Sequence, residues 1–344
     1  MIKTLVAGAF VRRHGYWAAA RRRRAMASLC YHRVCDDVDP LGLAVSETEF
    51  AQQMQALAAS SRVVAVNADQ FHALWCGQHA YGGRVPVLVS FDDGFRDNLE
   101  VAAPILRHYG IPAILFVATD VLAGKPLWYD KVERMFEAGH AGELQDAFGR
   151  LGVRPNMPAA GAAQWVESIR KLQSAVFVKA MAVIAGMAPG LDLSGRYLSA
   201  DDLGRWASLG LEVGAHSCSH PRLTALDAEA ALQEMTRSRQ VIGESLGQAV
   251  DFFAYPFGER GDFDSGHCRA LASAGYRMAF TTIQGGNRAG GDPFTVRRKC
   301  VMSGLFAGPG GAFSETLFLA DVMGLGADLK NRLGVGGKRT RASA

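Results

Sequence analysis

Apolar residues fall into short runs separated by amphipathic stretches, the alternation that strands and covering helices of an α/β fold produce. Val87-Leu88-Val89 reads as a buried parallel strand ending on Ser90-Phe91. Ala27 to Val34 reads as an earlier strand with His32 near its end, Arg62 to Val66 as a second, and Ala113 to Val117 as the next apolar run. Phe50, Met54 and Leu57 recur at helical spacing behind a capping box of Ser46 and Glu49, and a further helix is expected around Asp69 to Cys76. Pro104 marks a bend or a restart in the helix that runs to Tyr109, and Gly110 is placed to end it. The rhythm breaks over 121–196, a helical, loop-rich stretch that includes Leu127-Trp128-Tyr129-Asp130 and reads as an insertion on the catalytic face. It resumes at Ser199, an N-cap three residues before Asp202, with Leu203, Trp206 and Leu209 on one helical face. Strands are then expected at Leu211 to Ala215, Asp251 to Ala254, Arg277 to Thr282 and Phe294 to Val301, with helices over Asp227 to Leu246 and up to Ala274. Some helix is expected within 315–333, with a disordered tail after it. About seven or eight strand–helix units are enough to close a barrel.

Composition supports a large globular core: 344 residues, 49% hydrophobic and 20% charged. The net charge of +4 conceals an asymmetry. Residues 1–28 carry seven Lys/Arg and no acid, residues 329–344 five and no acid, leaving 25 basic against 33 acidic residues in the body. An acidic body with basic ends excludes a nucleic-acid binder and suggests peripheral contact with an anionic membrane through the termini. The expected organisation is a basic N-terminal helix over 1–28, a barrel over 29–305 with the insertion at about 121–196, and a C-terminal extension over 306–344. No apolar run approaches the ~20 residues of a membrane-spanning helix, and the N-terminus lacks the layout of a secretory signal. The six cysteines are scattered without a Cys-x-x-Cys pair, as suits reduced thiols in a cytoplasmic protein.

Two features carry chemistry. Asp92-Asp93-Gly94 ends the most apolar strand, at the strand end where α/β folds collect ligands. Adjacent carboxylates repel unless something positive lies beside them. His216-Ser-Cys-Ser-His220 also follows a strand, and a single helical turn would bring its two imidazoles onto one face. In a parallel barrel both motifs share one rim, which points to a metal held by one aspartate and two histidines, with the second aspartate free to take a proton from water. Zinc suits that donor set best, with cobalt, nickel or iron also compatible. Cys218, midway between the histidines, should point away from the ion. Hydrolysis of an amide or ester fits; phosphoryl transfer does not, because no Gly-rich phosphate loop is present.

Ser90-Phe-Asp-Asp-Gly94, the His216/His220 pair and Tyr255-Pro-Phe-Gly258 resemble three ordered motifs of the NodB-type polysaccharide deacetylases (carbohydrate esterase family 4), over about Leu29 to Val301. Tyr31-His-Arg-Val34 further resembles the branch containing poly-N-acetylglucosamine deacetylases. The resemblance implies a distorted (β/α) barrel of about seven strands and metal-dependent removal of N-acetyl groups from sugars. It implies Asp92 as catalytic base, Asp93, His216 and His220 as metal ligands, and Tyr255, Pro256 and Phe257 as the segment whose Phe257 N–H holds the oxyanion. Two positions depart from the pattern. The arginine that usually opens the third motif is Ala254, and no histidine occurs in Thr295 to Val301, where the family usually places its general acid. His32 is the candidate replacement, ahead of His267. Trp128 and Asp130 are candidates for contacting sugar. The leading reading is an N-deacetylase of a polysaccharide or lipid-linked glycan precursor. The alternatives are another amidohydrolase on the same barrel and a non-catalytic glycan- or lipid-binding barrel.

Overall fold

The computed structural model describes residues 25–324, apart from 38, 79–80, 154–160, 188–192 and 194. Among the described residues, seven strands of a nine-stranded sheet form the barrel wall: β1 (Ala25–Tyr31), β2 (Val85–Asp93), β3 (Ala113–Val117), β4 (Glu212–Ala215), β5 (Phe252–Ala254), β6 (Met278–Phe280) and β7 (Lys299–Cys300); the expected strand at Val63–Ala65 adds in parallel to the start of β2, and Asn287–Arg288 adds antiparallel to β1. The seven lie in the order β7-β1-β2-β3-β4-β5-β6, parallel throughout. Val296 bridges in parallel to Phe280, and three residues later β7 begins its pairing with β1. One segment thus joins both edges of the curled sheet, giving the distorted (β/α) barrel expected from the sequence. The expected strand over Phe294 to Val301 is divided by a 3₁₀ turn at Pro293–Thr295 before it reaches β7.

The two-residue period of a strand assigns each side chain to the barrel interior or to the helical layer. On β2, Val87, Val89 and Phe91 join the large outer core with Phe50, Leu106 and Trp206. Leu88 points the other way, into an inner cluster with Met26, Ile114, Phe116, Phe252, Met278, Phe280 and Val296. The same alternation carries Ser90 and Asp92 to the inner face of β2, and Arg298, two residues beyond Val296, to the inner face of the last segment. All nine residues of β2 are buried, as expected for a strand covered on both sides.

The outer layer comprises α1 (Glu47–Ala59), α2 (Ala68–Trp75), α3 (Ala103–Tyr109), α8 (Ala200–Ser208), α9 (Ala228–Leu246), α10 (Ser265–Ser273) and α11 (Glu315–Val322). Between β3 and α8 stands the insertion, with α4 (Trp128–Glu137), α5 (Ala141–Arg150), α6 (Ala162–Arg170) and α7 (Ser174–Gly186). Several local expectations shift. β1 takes in the last four residues of the expected N-terminal helix, while its basic part and the C-terminal basic tail fall outside the described residues. Ser46 caps α1, but Glu49 does not reciprocate: its carboxylate accepts from Gln53 and from Gly304 N–H instead. Ser199 and Asp202 do form the reciprocal pair. Pro104 marks a restart, as one of the two expected alternatives: it lies in the first turn of α3, directly after a π-helical turn at Asn98–Ala102. No helix among the described residues is long and apolar enough to cross a membrane.

Candidate active site

β2, β3 and β4 end at one level, with Asp93 paired to Val117 and Val117 to Ala215, so the acid pair and His216 emerge side by side on the rim. Asp93, His216 and His220 are all buried. Asp93 Oδ1 lies 3.4 Å from His216 Nε2 and 3.4 Å from His220 Nε2. An ion with tetrahedral bonds of about 2.0–2.1 Å would set its ligand atoms roughly 3.3–3.4 Å apart. His216 Nδ1 lies 2.8 Å from the carbonyl of Ala254; donating there leaves Nε2 free to ligate. Asp93 Oδ1 is a buried oxygen without a hydrogen-bond partner among the described residues. The donor set therefore fits a divalent metal.

The two histidines converge by a route other than a helical turn. Ser217 and His220 adopt left-handed backbone, with φ of 66° and 55°, and the Ser217 hydroxyl accepts from His220 N–H. The non-glycine residues with positive φ among those described are Asp93, Ser217, His220 and Phe257, all at this site. Each left-handed residue costs on the order of 1 kcal/mol, so the surrounding fold imposes these conformations. Cys218 turns away as expected, its N–H donating to Glu234 at 2.7 Å. Burial pushes the His220 imidazole down to about 3 against the nearby Asp93, keeping the ring neutral as a metal ligand requires.

Asp92 occupies the barrel interior beside this triad. Arg298, itself fully buried, grips it with two parallel bonds, Nη1 to Oδ1 and Nη2 to Oδ2, each 2.6 Å. The guanidinium also donates to Ser90 Oγ and to the carbonyl of Thr281, and lies over the Phe116 ring. Cys30 Sγ is 3.3 Å from Asp92 Oδ2. Burial alone would raise the Asp92 pKa; the charge and hydrogen bonds of Arg298, together with His216 beside it, hold the carboxyl below its ordinary range. Asp92 is thus ionised at neutral pH. Arg298 supplies from the last barrel segment the guanidinium that Ala254 cannot. The period-two pattern Val296, Arg298 was its sequence signal.

A cavity of about 350 Å³ opens over the acid pair and both histidines. Leu41 and Leu43 line one part, Ala163, Val166, Glu167 and Arg170 of α6 another, with His32, Tyr129, Phe257 and Thr282 completing the wall. His32 has a ring nitrogen within 4.8 Å of an Asp92 carboxylate oxygen. Asn98 steadies its backbone by donating to the His32 carbonyl at 2.8 Å. His267 lies elsewhere, 2.8 Å from Asp264 at the start of α10.

Phe257 reaches the cavity with φ of 60°, its ring edge-on to His220 and beneath the Arg170 guanidinium. The Phe257 N–H makes no backbone hydrogen bond among the described residues, while its carbonyl accepts from the Thr282 hydroxyl. Tyr255 and Pro256 are buried behind it and do not line the cavity. The Tyr255 ring stacks on Phe263, and its hydroxyl donates to the carbonyl of Phe294. Trp128 and Asp130, expected at the sugar, also lie behind the wall. Trp128 packs between Phe257 and Phe177. Asp130 is fully buried, accepts from Tyr197 and pairs with Arg196, and burial pushes its carboxyl up to about 7 even so. Between them Tyr129 lines the cavity and donates to Asp93 Oδ2 at 2.6 Å. Helical geometry explains the split, since successive side chains project in different directions.

The model of the family described as polysaccharide deacetylase matches residues 81–144 and 169–279. The chain belongs to the polysaccharide deacetylase family. YxkH of Bacillus subtilis (strain 168) is 20% identical over 231 residues, 67% of this chain and 57% of that relative. The chain thus spans little more than half the length of the curated relative it matches. Among solved structures, IcaB from Ammonifex degensii is 22% identical with a TM-score of 0.54, covering 81% of this chain and 92% of that one. The Streptococcus pyogenes deacetylase PplD, in complex with acetate, is 17% identical at a TM-score of 0.54 with the same coverage. A de-N-acetylase from Aggregatibacter actinomycetemcomitans is 16% identical at 0.54, covering 81% and 95%. These structures share the deacetylase barrel.

Proposed function

We propose that this chain is a metal-dependent N-deacetylase acting on an N-acetylated sugar of a polysaccharide or a lipid-linked glycan precursor. The observation that carries the reading is the pairing, in one cavity, of a three-ligand cluster with a buried carboxylate kept ionised by Arg298. Asp93, His216 and His220 would hold the ion, zinc by preference for one carboxylate and two imidazoles. Bound there, a divalent ion supplies Lewis acidity toward the acetamide carbonyl and toward water.

The chain's own groups divide the remaining work. Asp92 takes the proton of the attacking water; each carboxylate oxygen keeps acceptor capacity beside its bond to Arg298. The Phe257 N–H stabilises the negative charge that develops on the carbonyl oxygen. His32 delivers a proton to the nitrogen as the C–N bond breaks, so that acetate and a free amine are the products. Leu41, Leu43 and Val166 give the cavity an apolar flank, which suits a sugar ring and a hydrophobic carrier beyond it. All six cysteines are free thiols, which supports a cytoplasmic setting, with the basic termini as the proposed contact to an anionic membrane face.

The reading is tested by loading the protein with zinc and following acetate release from N-acetylated oligosaccharides and lipid-linked N-acetylated sugars. Release that is lost together with zinc in His220→Ala supports it. Release by chelator-treated, metal-free protein would count against metal dependence.

A further inference from the structure

The metal ligand Asp93 is held from the insertion as well as from the barrel. Tyr129, the second residue of α4, donates its hydroxyl to Asp93 Oδ2 at 2.6 Å. The other oxygen, Oδ1, has no hydrogen-bond partner among the described residues and faces Nε2 of both histidines at 3.4 Å. The carboxylate is therefore divided: one oxygen is engaged by the phenol and the other is left for the ion. The Tyr129 ring also stands edge-on to His220, with centroids 5.4 Å apart.

The position of Tyr129 is fixed from behind. Its neighbour Trp128 packs against Phe177 and Phe257, and Asp130 accepts from Tyr197 and Arg196. Tyr197 in turn stacks on Phe95, two residues after Asp93. Tyr197 also accepts from the N–H of Leu127, which precedes α4. The insertion is thereby tied to the acidic strand at both ends of this contact.

We propose that Tyr129 is a positioning residue of the metal centre, which confines Asp93 to ligation through a single oxygen and so keeps coordination positions open for water and the acetamide carbonyl. The inference rests on the Asp93, His216 and His220 centre argued above. A carboxylate relieved of the phenol would lose the fixed orientation that presents Oδ1 to the ion, which weakens binding, and could swing its second oxygen into a position the reaction needs.

The test compares the full chain with Tyr129→Phe, Asp93→Ala and the double variant, measuring zinc affinity by competition with a chromophoric chelator and the visible absorption of the cobalt-loaded proteins. The phenyl ring retains the packing against His220, and circular dichroism of the metal-free proteins reports whether the fold is kept. Tyr129→Phe should bind zinc about 10–100-fold more weakly and change the cobalt spectrum. In the Asp93→Ala background the same change should have little further effect on affinity, because the partner oxygen is gone. Tyr129→His, which returns a donor on a smaller ring, should recover part of the affinity, and it carries the test if the phenylalanine variant does not fold. Zinc affinity within about threefold of wild type together with an unchanged cobalt spectrum in Tyr129→Phe would overturn the proposal. Wild-type protein that binds no zinc, or Asp93→Ala that binds it as tightly as wild type, would overturn the metal centre itself and this inference with it.

Discussion

Replacing Arg298 by methionine is the sharpest perturbation of the proposed chemistry. The guanidinium is fully buried and makes both of its bonds to Asp92 at 2.6 Å, so solvent screens neither charge. Removing one partner of such a pair costs about 3–5 kcal/mol, mostly because the remaining charge is stranded. The carboxyl escapes that cost by taking up a proton. In the wild type the folded pKa of Asp92 is depressed, so the pair contributes stability above the unfolded carboxyl pKa and loses it as pH falls through the folded value. In Arg298→Met the sign reverses, because burial, the largest single influence, then outweighs the remaining pull of His216 and the folded pKa rises. The stability deficit of the variant should accordingly be near its full size at neutral pH and shrink as pH falls toward about 4. Catalysis should report the same change. Acetate release measured between about pH 5 and pH 9 should show no acidic limb from Asp92 in the wild type and a rate that climbs with pH in the variant. At neutral pH kcat/KM should fall by about 10²–10⁴, the usual contribution of a general base. Arg298→Lys keeps a charge without the bidentate fork and should fall between the two. A folded, zinc-loaded Arg298→Met protein with wild-type kcat/KM and an unchanged pH profile would refute the reasoning.

Two other outcomes follow from individual contacts. His32→Ala should lower kcat by about 10²-fold or more while leaving zinc affinity unchanged, as read by chelator competition, because the ring lines the cavity without joining the three ligands. Gly214→Ala should lower the unfolding free energy, read from denaturant titration, by about 1–3 kcal/mol or more, since the added Cβ would lie 2.5 Å from the Phe116 ring and 2.9 Å from the carbonyl of Phe252.

The parts of the site that were legible in the sequence depend on strands. Asp92 and Asp93 end a nine-residue buried strand, and His216 follows another, so barrel topology alone brings them together. His32 was placed by the same logic at the end of β1. Features set by loop conformation were less visible. Left-handed backbone at Ser217 and His220 brings the imidazoles to 4.8 Å between centroids without the helical turn their spacing suggests. Arg298 was legible in principle, being two residues from Val296 on the inner face, but it sits beside Arg297 and Lys299 in a run that resembles a solvated basic strand. The insertion gave the poorest signal. Of Trp128, Tyr129 and Asp130, only the direction in which α4 docks decides that Tyr129 faces Asp93 and His220 while its neighbours brace it from behind.

The most direct test of the proposed chemistry compares wild type and Asp92→Asn, both loaded with zinc to the same stoichiometry, for acetate release from N-acetylated glycans. Release by the wild type, with a loss of about 10²–10⁴-fold in the variant at unchanged zinc content, is the expected result. Equal release from the two proteins would contradict the assignment of Asp92 as the base and with it the mechanism built on the Asp92–Arg298 pair.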